Sequence, residues 1–159
     1  GNETTAKLIG NSMLCLREFP EIRAELIKHP EKIDDFIEEV LRLRSPVQNI
    51  VRIVKVETEL HGQTLRVGDT VEVFMGSANL DDAQFEDPLQ LKLGRKGRHL
   101  AFGNGIHFCL GAPLARLEAV IAIRHMLERV PKLRIQDDAD LMPVPSYAFH
   151  GLVSLPVTY

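Results

Sequence analysis

The residues with the clearest chemical promise lie together, in Phe102-Gly103-Asn104-Gly105-Ile106-His107-Phe108-Cys109-Leu110-Gly111. Cys109 comes just before an apolar helical pattern that starts near residue 112. A helix start gathers free backbone N–H groups and the positive end of the helix dipole. That setting favours a sulfur anion. Gly103, Gly105 and Gly111 let the backbone take positive φ and approach something large and flat. His107, two residues from Cys109, supplies a donor or a positive charge to a nearby anion. Three uses of such a cysteine compete. It is a buried structural residue, a catalytic nucleophile with His107 as its base, or a metal thiolate. Zinc asks for four ligands, and only Cys109, His107 and His99 are near. Haem iron asks for one protein thiolate and a flat cavity. Glycines around a single cysteine fit haem best.

The elements that must position this loop can be read from period and punctuation. Ala6, Ile9, Met13 and Leu16 recur at helical spacing, and Pro20 blocks continuation. Helices are expected over about 1–17, 20–28, 31–44 and 112–130. The third has Ile33, Phe36, Ile37, Val40 and Leu41 on one face, acids in its early turns and arginines in its last. Residues 50–74 turn β-branched and partly alternating, with turns at His61-Gly62 and Gly68-Asp69, so they are expected to form a small antiparallel sheet. Residues 75–111 are a long meander, a length more often functional than idle. The apolar residues of 112–130 spread around much of the helix, which is expected to be buried on more than one side. Residues 131–159 are expected to end in a β hairpin over 146–158. The fold class is mainly α with small antiparallel β-sheets (α+β), in one domain over 1–159.

Composition sets outer limits. With 45% apolar and 26% charged residues, the chain can bury a core. A net charge of -3 excludes a generally basic nucleic-acid binder, and 6% aromatics with no Trp offers no base-stacking surface. No apolar run approaches roughly 18 residues, so no membrane-spanning helix is expected. The first residues show no secretory signal, and two cysteines far apart are not a disulfide framework. A reducing cytoplasm is the expected location.

The segment Phe-Gly-x-Gly-x-His-x-Cys-x-Gly resembles the haem-binding signature of the cytochromes P-450, the haem-thiolate monooxygenases. Other features follow in the family's order. Glu39-Val40-Leu41-Arg42 is similar to its Glu-x-x-Arg helix, where a spacing of three lets the two pair. Arg95 would be the second arginine that joins that pair. Arg52, after Ser45-Pro46-Val47, stands where a haem-propionate arginine is usual. Arg98-His99-Leu100-Ala101 leads into Phe102, and Leu117-Glu118 follows, as in bacterial members. Gly151 to Val157 resembles the ending whose turn lines the substrate pocket. Gly1-Asn2-Glu3-Thr4-Thr5 looks like the oxygen-activating segment, with Glu3 as acid and Thr4 as hydroxyl of a proton relay. The plainer reading of Glu3 and Thr4 is helix-start chemistry.

The resemblance implies haem b with Cys109 as axial thiolate to iron. Arg52, His107, Phe102, Gly103 and Gly111 would surround it. It implies a soluble bacterial-type monooxygenase with a ferredoxin-type electron donor and a small apolar substrate, acting on neither nucleic acid nor membrane. It also implies a truncated domain, since family members are more than twice this length. The chain alone is then expected to be inactive and to expose apolar surface that invites self-association. The competing expectation is a haem-free remnant without enzymatic activity. Leu80 and His150 stand where the family often has arginine, a loss of charge expected to loosen local packing.

Overall fold

Pro20, Pro30 and Pro46 each set a boundary in the helical first third. The computed structural model describes residues 2–159; Gly1, expected in the first helix, lies outside the described residues. Helix α1 spans Asn2–Glu18 and α2 spans Pro20–Lys28. A 3-10 turn over Pro30–Lys32 replaces the first turn expected for the next helix, so α3 runs Ile33–Leu43. The Ser45 hydroxyl donates to the Leu41 carbonyl at 2.6 Å and helps close its end.

The β-branched stretch folds as two nested hairpin ladders rather than one sheet. Strand β1 (Ile50–Ile53) pairs antiparallel with β4 (Thr70–Val73), and β2 (Thr58–Leu60) pairs with β3 (Gln63–Leu65). His61 and Gly62 both take positive φ, the geometry that matches strand twist across a two-residue turn. A short helix α4 (Met75–Ala78) opens the meander, and a 3-10 turn spans Gly105–His107. Helix α5 covers Ala112–Arg129.

The hairpin expected within 146–158 is not what forms. Strand β6 (Val157–Thr158) pairs instead with β5 (Arg134–Ile135), on the far side of the intervening loop. Residues 142–153 turn back on themselves through a single bridge, Pro143 to Leu152. Pro156 has no N–H for a ladder, and its carbonyl instead accepts the Gln136 N–H at 3.0 Å. Near His150, packing is tied rather than loose. Its N–H donates to Pro46, and its carbonyl accepts from buried Asn11.

Helices α1, α3 and α5 meet in the core through Leu8, Cys15, Phe36, Val40 and Ile123, with Ala119 keeping the backbones close. Helix α5 buries Ala112, Ala119, Ile123 and Leu127 only. Leu114, Leu117 and Ile121 stand exposed at helical spacing, so this helix is not buried on more than one side. The chain's accessible surface is 10107 Å². A compact monomer of its mass has about 8,000 Å².

Candidate functional site

Two backbone features build the cysteine loop. The Cys109 N–H donates to the Phe102 carbonyl at 2.9 Å, closing the loop on itself. Gly103 has φ +73 and Gly105 has φ +69, conformations that L side chains rarely adopt. Gly111 departs from expectation. Its φ is -81, and it caps α5. A Cβ there would lie 3.9 Å from Cys109 Sγ, an ordinary contact.

Cys109 is a free, exposed thiol, which removes the buried structural reading. No hydrogen bond joins it to His107, as a nucleophile–base pair would need. Among the described residues no three His, Cys, Asp or Glu side chains gather as a metal site, so zinc has no ligand set. What remains is one thiol in a cleft of about 260 Å³. Helix α1 contributes Thr4, Thr5 and Leu8, the stretch from α3 to β1 contributes Leu41, Val47, Ile50 and Arg52, and the loop contributes Phe102, Gly103, His107 and Cys109. Apolar walls, a single sulfur and one guanidinium suit a flat apolar macrocycle with an anionic edge, so these residues fit haem.

Glu3 and Thr4 part company. Thr4 lines the cleft, whereas the Glu3 carboxylate is 2.6 Å from Lys7 Nζ beside Leu152 and Leu155. That ion pair, first through its hydrogen bond, holds the Glu3 carboxyl below its ordinary value.

The Glu39–Arg42 pair is a buried structural centre, not a surface pair. Arg42 Nε lies 2.7 Å from Glu39 Oε1 and Nη2 lies 3.0 Å from Oε2. Arg95 joins as expected, its Nε 3.0 Å from Glu39 Oε2. Remaining Arg42 N–H groups donate to the carbonyls of Asn79, Pro88 and Gln90. Burial pushes the Glu39 carboxyl up, but hydrogen bonds from Arg42, the Lys92 amide and Arg95 outweigh it and hold it below the ordinary range. The centre pins the meander to α3, and so fixes the start of the cysteine loop.

Sequence reasoning missed two further groups. Asn79 is fully buried; its amide donates to Ser45 Oγ at 2.9 Å and its Oδ1 accepts the Leu100 N–H at 2.6 Å. Glu38 Oε1 accepts Arg116 Nε at 2.6 Å, and Oε2 lies 3.1 Å from His99 Nε2. The Arg116 guanidinium carbon is 4.6 Å from the centre of the Phe102 ring. No local spacing signals either group, because their members lie tens of residues apart.

A family model described as "Cytochrome P450" matches residues 2–156. The chain is 41% identical over 160 residues to the biotin biosynthesis cytochrome P450 of Bacillus subtilis (strain 168), covering 100% of this chain and 40% of that one. It is 41% identical over 162 residues to the cytochrome P450 monooxygenase PikC of Streptomyces venezuelae, covering 100% and 39%. The crystal structure of CYP109E1 from Bacillus megaterium in complex with testosterone superposes with a TM-score of 0.95 at 46% identity, over 99% of this chain and 44% of that chain. The chain thus spans about two fifths of the length of the curated relatives it matches.

Proposed function

The chain belongs to the cytochrome P450 family, and from that premise we propose that it forms the thiolate-bearing wall of a haem monooxygenase. The observation that carries this reading is the exposed thiol of Cys109 in an apolar cleft shared with Arg52, His107 and Thr4. When bound, haem iron with one thiolate ligand supplies one-electron chemistry and dioxygen activation. Cys109 Sγ would hold the iron, and a thiolate there would supply electron density to it. The Arg52 guanidinium and the His107 ring, both lining the cleft, would meet the propionate carboxylates. Phe102 and Gly103 would form the wall against which the macrocycle lies, with Gly111 next to the sulfur. The Thr4 hydroxyl is the proton-holding group on the α1 side. Glu3 joins it as the acid of a relay only after leaving Lys7.

The reaction proposed for the complete fold inserts one oxygen atom of dioxygen into an apolar organic substrate. The second oxygen leaves as water, with two electrons from a ferredoxin-type partner and two protons. The setting is cytoplasmic, where Cys15 and Cys109 stay out of disulfides. No helix of the described residues is long and apolar enough to cross a membrane. Turnover by these 159 residues alone is not expected, because a dry, shaped pocket on both sides is what keeps oxygen chemistry from leaking to water.

A second reading is favoured by the exposed face of α5. A fragment without activity would associate with a copy of itself through Leu114, Leu117 and Ile121. One spectrum separates the two. The purified chain is mixed with haem, reduced and exposed to carbon monoxide. A red-shifted band typical of thiolate ligation, lost in Cys109→Ala, supports the first reading. No haem uptake, or a band typical of histidine ligation, overturns it.

A further inference from the structure

A polar cavity of about 240 Å³ lies behind the cysteine loop, and Phe102 lines both this cavity and the apolar cleft. Phe102 therefore stands between them. On the polar side it is held by one assembly. Glu38, from α3, takes two hydrogen bonds from Arg116, at 2.6 and 2.9 Å, and faces His99 at 3.1 Å. Arg116, from α5, lays its guanidinium over the Phe102 ring at 4.6 Å. His99 Nδ1 accepts the Ala101 N–H at 3.2 Å, one residue before Phe102. These contacts grip the loop at its entry and behind its exit, and the gripped residue is the one whose carbonyl receives the Cys109 N–H.

We propose that Glu38, His99 and Arg116 are positioning residues for the Cys109 thiolate, a clamp that presses Phe102 into place from the side away from the cleft. The proposal rests on the haem-thiolate reading for what the sulfur does, but its geometry is independent of it. An ordinary ion pair between α3 and α5 would only join two helices. This one also carries a flat cation on an aromatic face, an arrangement in which Arg is not replaceable by Lys. The hydrogen bonds of the clamp do not reach the sulfur, although the Arg116 charge is close enough to Cys109 for the two to interact, so the mechanical part of its action runs through the Phe102 main chain.

The test is amide hydrogen exchange on the full chain, read at the Cys109 N–H against Leu14 of the α1 core. In Arg116→Gln and in Glu38→Gln, protection at Cys109 falls about tenfold or more relative to Leu14. Arg116→Lys, which keeps the charge without the planar fork, does not restore it. The double variant Glu38→Gln, Arg116→Gln loses no more than either single one, as partners in one assembly should. Unchanged protection at Cys109 in both single variants, a loss merely in step with Leu14, or full protection in Arg116→Lys overturns the proposal. In the haem-loaded chain the same variants also shift the thiolate absorption band. Absence of that band in the parent chain defeats the haem reading, and the exchange experiment still decides the clamp.

Discussion

Glu39 is a carboxylate only 4% exposed, and it is the sole acid paired with Arg42, itself 2% exposed. Glu39→Gln leaves that guanidinium buried without a countercharge. Removing one partner of a buried pair costs about 3–5 kcal/mol, and urea unfolding of variant against parent reads it directly. An unfolding free energy lowered by less than about 1 kcal/mol, the range of exposed pairs, contradicts the structural role. The glycines of the cysteine loop divide in the same way. Gly103→Ala forces a side chain into φ +73 and is expected to cost about 1–2 kcal/mol. Gly111→Ala sits at φ -81 with only an ordinary contact to the sulfur, so stability should stay within about 0.5 kcal/mol. Equal midpoints for the two alanine variants would contradict this division. Cys109 stood out in a short motif, while Arg95 and Arg52 were placed by the family resemblance; Arg95 does meet Glu39, and Arg52 lines the same cleft as Cys109. Asn79 and the Glu38–Arg116 pair were not legible, since they join distant segments and have no local pattern. Thr4 and Glu3 were legible as neighbours, but helical geometry turns them to different grooves.

At the scale of elements, the α3–α5 contact carries a pH dependence. Burial pushes the Glu38 carboxyl up, but hydrogen bonds from His99 and Arg116 outweigh it and bring it to about 2, from an ordinary 4.5. A carboxyl lowered on folding adds stability that is full above its unfolded value and lost as pH falls through its folded one. The contact should therefore weaken between pH 4.5 and about 2. The carboxylate is 43% exposed, so water screens the pair and its worth stays at about 1 kcal/mol or less. Thermal midpoints of parent and Glu38→Gln, taken from neutral pH downward, should converge across that window. Parallel curves contradict the assignment. The four longer helices were readable because proline and apolar period are local properties. Strand pairing was readable within 50–74, where the turn at His61-Gly62 is local, but not at the C-terminal end. Whether β6 joins β5 or folds on its own neighbours depends on where the chain returns after a loop. The face of α5 was misjudged for a related reason: apolar residues around a helix do not say whether anything covers them.

For the molecule as a whole, the accessible surface of 10107 Å² exceeds that of a compact monomer by about 2,000 Å². Part of the excess is the row Leu114, Leu117 and Ile121, with Leu110 beside it at 98% exposed. Sedimentation of the chain should show mass rising with concentration, and Leu114→Glu with Leu117→Glu should suppress the rise. A monomer at every concentration, with no difference between the two proteins, removes the self-association reading. The core has its own consequence for the order of events in synthesis. Helices α1 and α3 come from the first third of the chain, yet they close against α5, which ends at Arg129. Contacts so far apart in sequence are slow to form. At about 5–20 residues per second, α1 and α3 wait several seconds on the ribosome for α5. Throughout that interval Leu8, Phe36 and Val40 have no partner surface from α5, and nascent chains are open to chaperones and to one another.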